Sequence, residues 1–192
     1  MNPSTDEELL RRSTRGDEEA FTVLYRRRQP SVYRFALHMS GRPDLAEEVT
    51  QDVFLTLIRE PARFDAGRGA LSAFLFGITR NFVLRHIERD RKHVYMDETP
   101  EFDPEADGPD LLSELTRGQA VDAVRQAVLT LPATYREAVV LCDLEEMSYA
   151  DAAEALAVPV GTVRSRLNRG RGMLLEKLRT VKAASAGARC SA

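Results

Sequence analysis

Residues Leu144 to Arg179, LEEMSYADAAEALAVPVGTVRSRLNRGRGMLLEKLR, predict two helices joined by a tight turn. Ser148 suits the N-cap of the first helix, and Asp151 stands three residues on, where a capping box places an acidic residue. The first helix has a small apolar face that lets another helix approach closely, formed by Ala152, Ala153 and Leu156. Pro159 cannot continue that helix but suits the first turn of a second one.

The second helix is amphipathic. Its apolar stripe recurs at a spacing of about 3.6 residues and consists of Val160, Val163, Leu167, Leu174 and Leu178. Arg and Asn can read base edges, Ser and Thr can bind bases or phosphates, and flanking Arg neutralises phosphate. The candidate DNA contacts on and beside the opposite face are Thr162, Arg164, Ser165, Asn168, Arg169 and Arg171. This layout is typical of a helix-turn-helix that enters the major groove. On shape alone, an amphipathic hairpin with a solvated basic face remains the alternative.

Charge is distributed unevenly along the 192 residues. The segment Tyr95–Gly118 carries a net charge of −7, which leaves +4 on the rest of a chain whose total is −3. It also contains three prolines and few large apolar residues, which predicts a flexible acidic linker. Mildly basic parts joined by such a linker fit a nucleic-acid binder.

Several functional classes are disfavoured. The chain has no Gly-rich phosphate loop and no nucleophile elbow, and its histidines (His38, His86 and His93) have no ligand partners at metal spacing. We therefore expect no enzymatic activity, no cofactor and no metal. Cys142 lies in an apolar helical run far from Cys190, which favours a buried free thiol over a disulfide. Apolar runs are too short for a membrane span and no signal region is visible, so we expect a cytoplasmic protein.

Helical periodicity predicts helices on both sides of the acidic linker. Those before it are Asp6–Gly16, Glu18–Ser40 with a possible kink at Pro30, about Leu45–Ile58 capped by Asp44, and, after a Gly-rich loop, Leu71–His93. Those after it, packed under the helix-turn-helix, are Gln119–Leu131, with Val121, Val124, Val128 and Leu131 inward, and Thr134–Asp143, with Arg136 and Glu137 exposed. After Arg179 the small polar tail is expected to be disordered.

The fold class expected is all-α, with two small helical domains joined by a flexible acidic linker. The predicted boundaries are 1–94, 95–118, 119–180 and a tail at 181–192.

Several stretches resemble one known family. The pattern SY-x-D-x-A-x-x-L-x-V-P-x-GTVRSRLNRGR, preceded by LP-x-x-YREA-x-x-L, resembles the promoter-reading region 4 of extracytoplasmic-function (ECF) sigma factors. It departs from the family at Ala152-Ala153, where Ile-Ala is usual, and at Ala157, where the turn usually has Gly. AEEVTQDVFLTLI and RFDAGRGALSAFLFGITRNFVLRHIERDRKH resemble region 2, with Phe74 where the family commonly has Trp.

The resemblance implies roles for particular residues. In the family the first segment docks on the β′ clamp helices of core RNA polymerase, which predicts polymerase contacts at Glu47, Glu48, Gln51 and Asp52. The following loop and helix engage the −10 element with a flipped base, which predicts contacts at Phe64, Asp65, Arg68, Arg80, Asn81 and Arg85. The resemblance also implies a β flap contact, a linker near the RNA exit channel, and an anti-sigma factor as a partner.

These implications define the main hypothesis, an alternative sigma factor that guides core polymerase to promoters and helps to melt the −10 region. Without polymerase, its small DNA-binding modules should bind weakly. One competing hypothesis is a free-standing helix-turn-helix regulator with residues 1–95 as a sensor or dimerisation domain. Another is a helical adaptor that binds a protein through the acidic face of residues 45–58, which on the residues alone is an ordinary solvated face.

Overall fold

The computed structural model describes residues 4–94 and 117–187, and side chains within 4–90 and 121–179. In these ranges all regular structure is helical, which confirms the all-α prediction. The helices are α1 Asp6–Ser13, α2 Glu18–Ser40, α3 Pro43–Arg59, α4 Leu71–Val94, α5 Arg117–Leu129, α6 Ala133–Val139, α7 Tyr149–Leu156 and α8 Val160–Gly187. No helix in the described residues is long and apolar enough to cross a membrane. The linker residues 95–116 and Cys190 lie outside the described residues.

Helices α1 to α4 form a first unit around α2. Asp17 caps α2 by accepting a hydrogen bond from the Ala20 amide at 2.9 Å. The helix continues through Pro30 and ends at Gly41, which adopts a φ of 73° and donates to the Leu37 carbonyl at 2.8 Å. The core of this unit is apolar and closely packed, with fully buried side chains that include Leu24, Phe35, Met39, Val49 and Leu75.

The start of α3 differs from the prediction. Arg42 occupies the N-cap and Pro43 the first turn, so Asp44 is not the cap. Proline suits this position because its missing amide hydrogen would have no helical partner there. Asp44 instead lies in the first turn, where a carboxylate is favoured, and accepts a hydrogen bond from Arg42 at 2.7 Å.

Helices α5 to α8 form a second unit that contains the helix-turn-helix. The predicted capping interaction at Ser148 is confirmed: its hydroxyl accepts from the Asp151 amide at 3.1 Å and donates to the Asp151 carboxylate at 2.6 Å. The turn after α7 is left-handed at Ala157, with a φ of 53°. The amides of Ala157 and Val158 donate to the carbonyls of Glu154 and Ala153, each at 3.0 Å, and this closes the helix end.

Several details of the second unit depart from the prediction. The helix predicted for Thr134–Asp143 is α-helical only to Val139 and then widens into a π-turn, Val140–Leu144. Arg136 and Glu137 were expected to be exposed, but Arg136 is half-buried and Glu137 is 2% exposed. Both are covered because the second unit packs against the first.

Both ends of the second unit also differ from the prediction. Val128 and Leu131 are buried, but Val121 and Val124, predicted inward, are 46% and 38% exposed. They line an open groove between α5 and α2 instead of a closed core. At the other end, α8 continues to Gly187 rather than ending near Arg179.

The two units share one apolar cluster, since α7 packs directly on α4. The two helices approach closely at Gly77, where an added Cβ atom would lie 3.3 Å from the backbone oxygen of Ala155. Ala152, Ala155 and Leu156 of α7 are buried in the same cluster as Leu75 of α4. The helix-turn-helix is therefore held beside the helix that carries half of the predicted −10 contacts.

Candidate nucleic-acid interface

Helix α8 presents its predicted DNA-reading side chains to solvent. Val163 and Leu167 are 0% and 2% exposed and anchor the helix in the second unit. On the other side, Thr162 is half-buried, and the exposed residues are Arg164, Ser165, Asn168, Arg169 and Arg171. The structure therefore brings all the predicted −35 residues to one accessible helix face.

The arginines of this face are not equivalent. The Arg164 guanidinium lies 5.7 Å from the centre of the Tyr149 ring, a cation–π contact that leaves its donors accessible. Arg171 donates two hydrogen bonds to Asp143, at 3.0 and 2.5 Å, and this ion pair raises the pKa of Arg171. Among the described side chains, Arg169 makes no ion pair. Arg171 thus ties α8 to the π-turn, whereas the side chains of Arg164 and Arg169 are exposed to solvent.

Helix α3 presents the predicted polymerase-binding residues. Glu47, Glu48 and Gln51 are exposed, and Asp52 is half-buried. Leu55 and Ile58 continue the same side of the helix and are 42% and 53% exposed. Sequence reasoning did not single out these two apolar residues, although their helical spacing from Gln51 could have revealed them. The face therefore combines an acidic part with an apolar end.

A histidine lies beside this face. His86 Nε2 is 3.9 Å from a Glu48 oxygen, and ligand atoms of Glu48, Asp52 and His86 lie within 4.8 Å of one another. The sequence shows no ligand partners for the histidines at metal spacing, but the packing of α3 on α4 brings these residues, which are distant in sequence, close together. The Arg89 guanidinium lies 3.1 Å from the other ring nitrogen and places a positive charge at the group.

The loop between α3 and α4 carries three of the predicted −10 residues. Phe64 is half-buried, with its ring centre 5.5 Å from that of Phe74, so it anchors the loop to the first unit. The Asp65 carboxylate accepts a hydrogen bond from the Gly67 amide at 2.9 Å and shapes the turn. Arg68 is exposed.

On α4 the three predicted contacts divide into two groups. Asn81 and Arg85 are exposed, and the Arg85 guanidinium lies 4.7 Å from the centre of the Phe82 ring. Arg80 instead donates a 2.8 Å hydrogen bond from Nε to the carboxylate of Glu137 in α6. The structure therefore leaves Arg68, Asn81 and Arg85 open and engages Arg80 with the second unit.

Comparison with known families matches both units. Residues 24–93 match Sigma-70 region 2, and residues 122–174 match Sigma-70, region 4. The chain is 35% identical to the ECF RNA polymerase sigma factor SigE of Mycolicibacterium smegmatis over 85% of its own length and 64% of that protein. It is 34% identical to the ECF RNA polymerase sigma factor SigM of Mycobacterium tuberculosis over 91% of its own length and 85% of the relative.

Solved structures agree with these sequence matches. The sigma factor RpoE from Bartonella quintana, crystallised with the anti-sigma factor NepR, superposes with a TM-score of 0.69 at 28% identity, over 83% of this chain and 96% of that one. CnrH, solved with the cytosolic domain of CnrY, has the same fold, with a TM-score of 0.69 at 23% identity over 92% of this chain and 99% of that one. The chain therefore belongs to the ECF group of the sigma-70 family of RNA polymerase sigma factors.

Proposed function

We propose that this chain binds core RNA polymerase in the cytoplasm, guides it to a class of promoters through their −35 and −10 elements, and helps to separate the strands at the −10 element. The observation that carries the proposal is the pairing of an exposed recognition helix, α8, with an upstream unit that has its own open basic residues. In a free-standing regulator the upstream unit would serve as a sensor or dimerisation domain and would not need open basic residues of its own. Sigma factors are not enzymes, so binding energy alone must perform this work.

Recognition of the −35 element is assigned to the first turns of α8. Arg164 and Arg169 are exposed and form no ion pair with the side chains that the structure describes, and Asn168 lies between them on the same face. Arginine pairs bidentately with guanine and asparagine with adenine, and each such contact contributes about 1–3 kcal/mol of discrimination. The −35 duplex would therefore be read by these side chains, with Ser165 and Thr162 closer to the phosphates.

Recognition of the −10 element is assigned to the loop and to α4. Arg68, Asn81 and Arg85 face solvent, and the Phe82 ring under Arg85 adds an apolar surface. Flipping a base costs a few kcal/mol, whereas stacking on protein returns about 1–3 kcal/mol per base. Strand separation is therefore favourable only where pocket contacts supplement stacking, which ties melting to the −10 sequence.

Polymerase docking is assigned to the exposed side of α3. The acidic residues Glu47, Glu48 and Asp52, together with the neutral Gln51, fit a basic surface. Leu55 and Ile58 add exposed apolar area. This mixed character is what a specific protein interface needs, because apolar area provides affinity and charge provides orientation. The β′ clamp helices are the proposed partner of this face, and the β flap is the proposed partner of the second unit.

An anti-sigma factor is the second proposed partner. The related RpoE was crystallised with one, and in this chain an open groove between the units exposes apolar side chains at Val121 and Val124. A partner helix with apolar residues at helical spacing would fit such a groove.

Run-off transcription tests the proposal. Core polymerase is assayed on pooled genomic promoter fragments with the wild-type protein, with Arg169→Ala, and with Arg179→Ala as a matched exposed arginine farther along α8. We expect new start sites with the wild-type and Arg179→Ala proteins and strongly reduced transcripts with Arg169→Ala. Specific duplex binding by the protein alone, without new transcripts, would favour the free-standing regulator. Full activity of Arg169→Ala would favour the adaptor.

A further inference from the structure

We propose that Glu7 of α1 is a positioning residue for −10 recognition: its carboxylate caps the first turn of α4 and thereby fixes where the loop between α3 and α4 ends. This loop, residues 60–70, is called the −10 loop below. The inference rests on the proposed function for what the −10 loop does. The cap itself is carried by a hydrogen bond between two helices, a buried anchor on α1 and an open cleft beside the contact.

The residue before α4 cannot cap the helix with its own side chain. The Ala70 carbonyl accepts the first helical hydrogen bond, from the Phe74 amide at 3.3 Å, so Ala70 occupies the N-cap position. A methyl group cannot accept hydrogen bonds from the amides that a helix start leaves unpaired. Glu7 supplies an acceptor instead, because its Oε1 receives the Leu71 amide at 3.3 Å. Leu71 is 0% exposed, so its amide depends on a protein partner.

The neighbouring residue, Asp6, anchors the start of α1 on α2. Asp6 is 5% exposed, and its carboxylate accepts hydrogen bonds from Arg27 Nη1 at 2.8 Å and from Nε of Arg28. A carboxylate this buried needs charged partners, and two arginines also fix its orientation. Arg27 donates in addition to the Ser4 carbonyl at 2.9 Å. Because Asp6 and Glu7 are adjacent in the first turn of α1, this anchor sets the position from which Glu7 reaches α4.

An open cleft lies between the start of α1 and the start of α4. It has a volume of about 350 Å³ and is bordered on the α1 side by Thr5 and Glu7 and on the α4 side by Ala70 and Ser72. Packing therefore does not fill the space between the two helix starts, and the Glu7 hydrogen bond spans its edge. The Leu71 side chain belongs to the apolar core, so α4 should stay folded without Glu7. The direction in which the chain enters α4 is what the hydrogen bond controls.

The −10 loop transmits the position of the α4 start to Arg68. The Asp65 carboxylate accepts from the Gly67 amide at 2.9 Å, and the Asp65 carbonyl accepts from the Arg68 amide at 3.0 Å, so this part of the loop is a closed turn. Only two residues separate Arg68 from Leu71. A shift of the Leu71 backbone should therefore displace the Arg68 side chain. Discrimination between bases is sensitive to such a shift because it requires aligned donors and acceptors.

The test compares three variants of the full-length chain with the wild type. Glu7→Ala removes the acceptor, whereas Glu7→Gln keeps an acceptor oxygen and removes only the charge. Glu8→Ala is the matched control, because it removes the same charge from the next residue, whose carboxylate pairs with Arg11 within α1 at 2.7 Å.

Two measurements are made on each protein. Hydrogen exchange of the Leu71 amide is followed by nuclear magnetic resonance in the free protein. Run-off transcription by the holoenzyme is then measured on a promoter fragment that the wild type uses, on derivatives with one base changed in the −10 element, and on derivatives with one base changed in the −35 element.

We expect the Leu71 amide to exchange about 2- to 30-fold faster in Glu7→Ala than in the wild type, the change that corresponds to the loss of a helix cap. Glu7→Gln and Glu8→Ala should keep the wild-type rate. In Glu7→Ala the preference for the original −10 sequence should fall by about three- to tenfold, which is part of the roughly 5- to 150-fold that one base contact provides. The preference for the −35 sequence should not change. A merely structural role would lower transcription from all fragments in proportion and leave both preferences intact.

An unchanged Leu71 exchange rate in Glu7→Ala would overturn the cap. Faster exchange with an unchanged −10 preference would overturn the positioning role. Equal effects of Glu7→Gln and Glu7→Ala would show that charge is the cause, and would overturn the hydrogen-bonded cap. If the wild-type holoenzyme transcribes no fragment, the proposed function fails and the positioning role fails with it, whereas the exchange rates still decide whether Glu7 caps α4.

Discussion

Arg80 of α4 and Glu137 of α6 form an ion pair of 2.8 Å across the contact between the two units, and the Glu137 side chain is 3% exposed. The pair joins a residue predicted to read the −10 element to one predicted to face solvent. The sequence did not reveal this pairing, because the two residues lie on opposite sides of the acidic linker and meet only when the two units pack together. The guanidinium that the resemblance predicts to contact the −10 element thus pairs with a buried carboxylate in this structure.

Replacing Arg80 with alanine should destabilise the protein by roughly 1–3 kcal/mol, because it leaves the buried Glu137 carboxylate without its partner. The measurement is urea unfolding, and Arg85→Ala is the control, since Arg85 is exposed on the same helix. Adding Glu137→Gln to Arg80→Ala should restore part of the loss. Equal urea midpoints for Arg80→Ala and Arg85→Ala would show that the pair contributes nothing.

Arg169→Ala and Arg171→Ala should affect promoter binding differently. Loss of a direct base contact at Arg169 should weaken holoenzyme binding by about 1–3 kcal/mol, or roughly 5- to 150-fold. Arg171 is already paired with Asp143 and half exposed, so its removal should cost about 0–1 kcal/mol, mainly as stability. Filter binding of −35 promoter fragments at two salt concentrations separates the two effects. A larger binding loss from Arg171→Ala would reverse the assignment.

Acidification should destabilise the folded protein through His38. Burial, followed by repulsion from Arg125 and Arg34, lowers the pKa of His38 below its ordinary 6.5. The unfolded chain therefore binds a proton more readily than the folded one, and stability falls as the pH drops below 6.5 towards the lowered pKa. Thermal unfolding at pH 7.5 and 5.5 measures the change, and His38→Gln should reduce the difference. An unchanged difference in His38→Gln would assign the pH dependence to other groups.

The sequence predicted helix limits well where capping residues and apolar periodicity determine them. The limits of α2 follow from Asp17, Gly41 and apolar periodicity, and the Ser148 cap predicted the start of α7. Features that depend on tertiary packing were not accessible in this way. The burial of Glu137 requires the other unit, and the approach of His86 to Glu48 requires α3 and α4 to lie side by side.

The sequence likewise predicted one part of the candidate site, the α8 face, better than the other, the −10 surface. Exposure of the α8 face follows from helical periodicity, so all its candidates lie on one side of the helix. The −10 candidates came from a resemblance that identifies positions but not their partners. It therefore could not separate Phe64, which packs on Phe74, from Asn81, which faces solvent.

Ala157→Gly should stabilise the protein. Ala157 adopts a φ of 53° between the two helices of the helix-turn-helix, and a left-handed conformation costs a non-glycine residue about 1–2 kcal/mol. Part of this gain is offset because glycine has more freedom in the unfolded chain, so we expect a net stabilisation of about 0.5–1 kcal/mol. Ala150→Gly, at an exposed helical position of α7, should have the opposite sign. Differential scanning calorimetry measures both, and a lower melting temperature for Ala157→Gly would contradict the strain.

Leu55→Lys should weaken polymerase binding without changing the fold. Leu55 is 42% exposed at the apolar end of the α3 face and therefore contributes little to the core. Burying such a side chain at an interface contributes about 1–2 kcal/mol, so we expect roughly 5- to 30-fold weaker binding to core polymerase. Val23→Lys is the matched control, because Val23 is 40% exposed on α2 and does not belong to the proposed α3 face. Fluorescence anisotropy with labelled protein measures the affinity, and circular dichroism checks the fold. If both substitutions weaken binding equally, the polymerase contact does not lie on α3 as proposed.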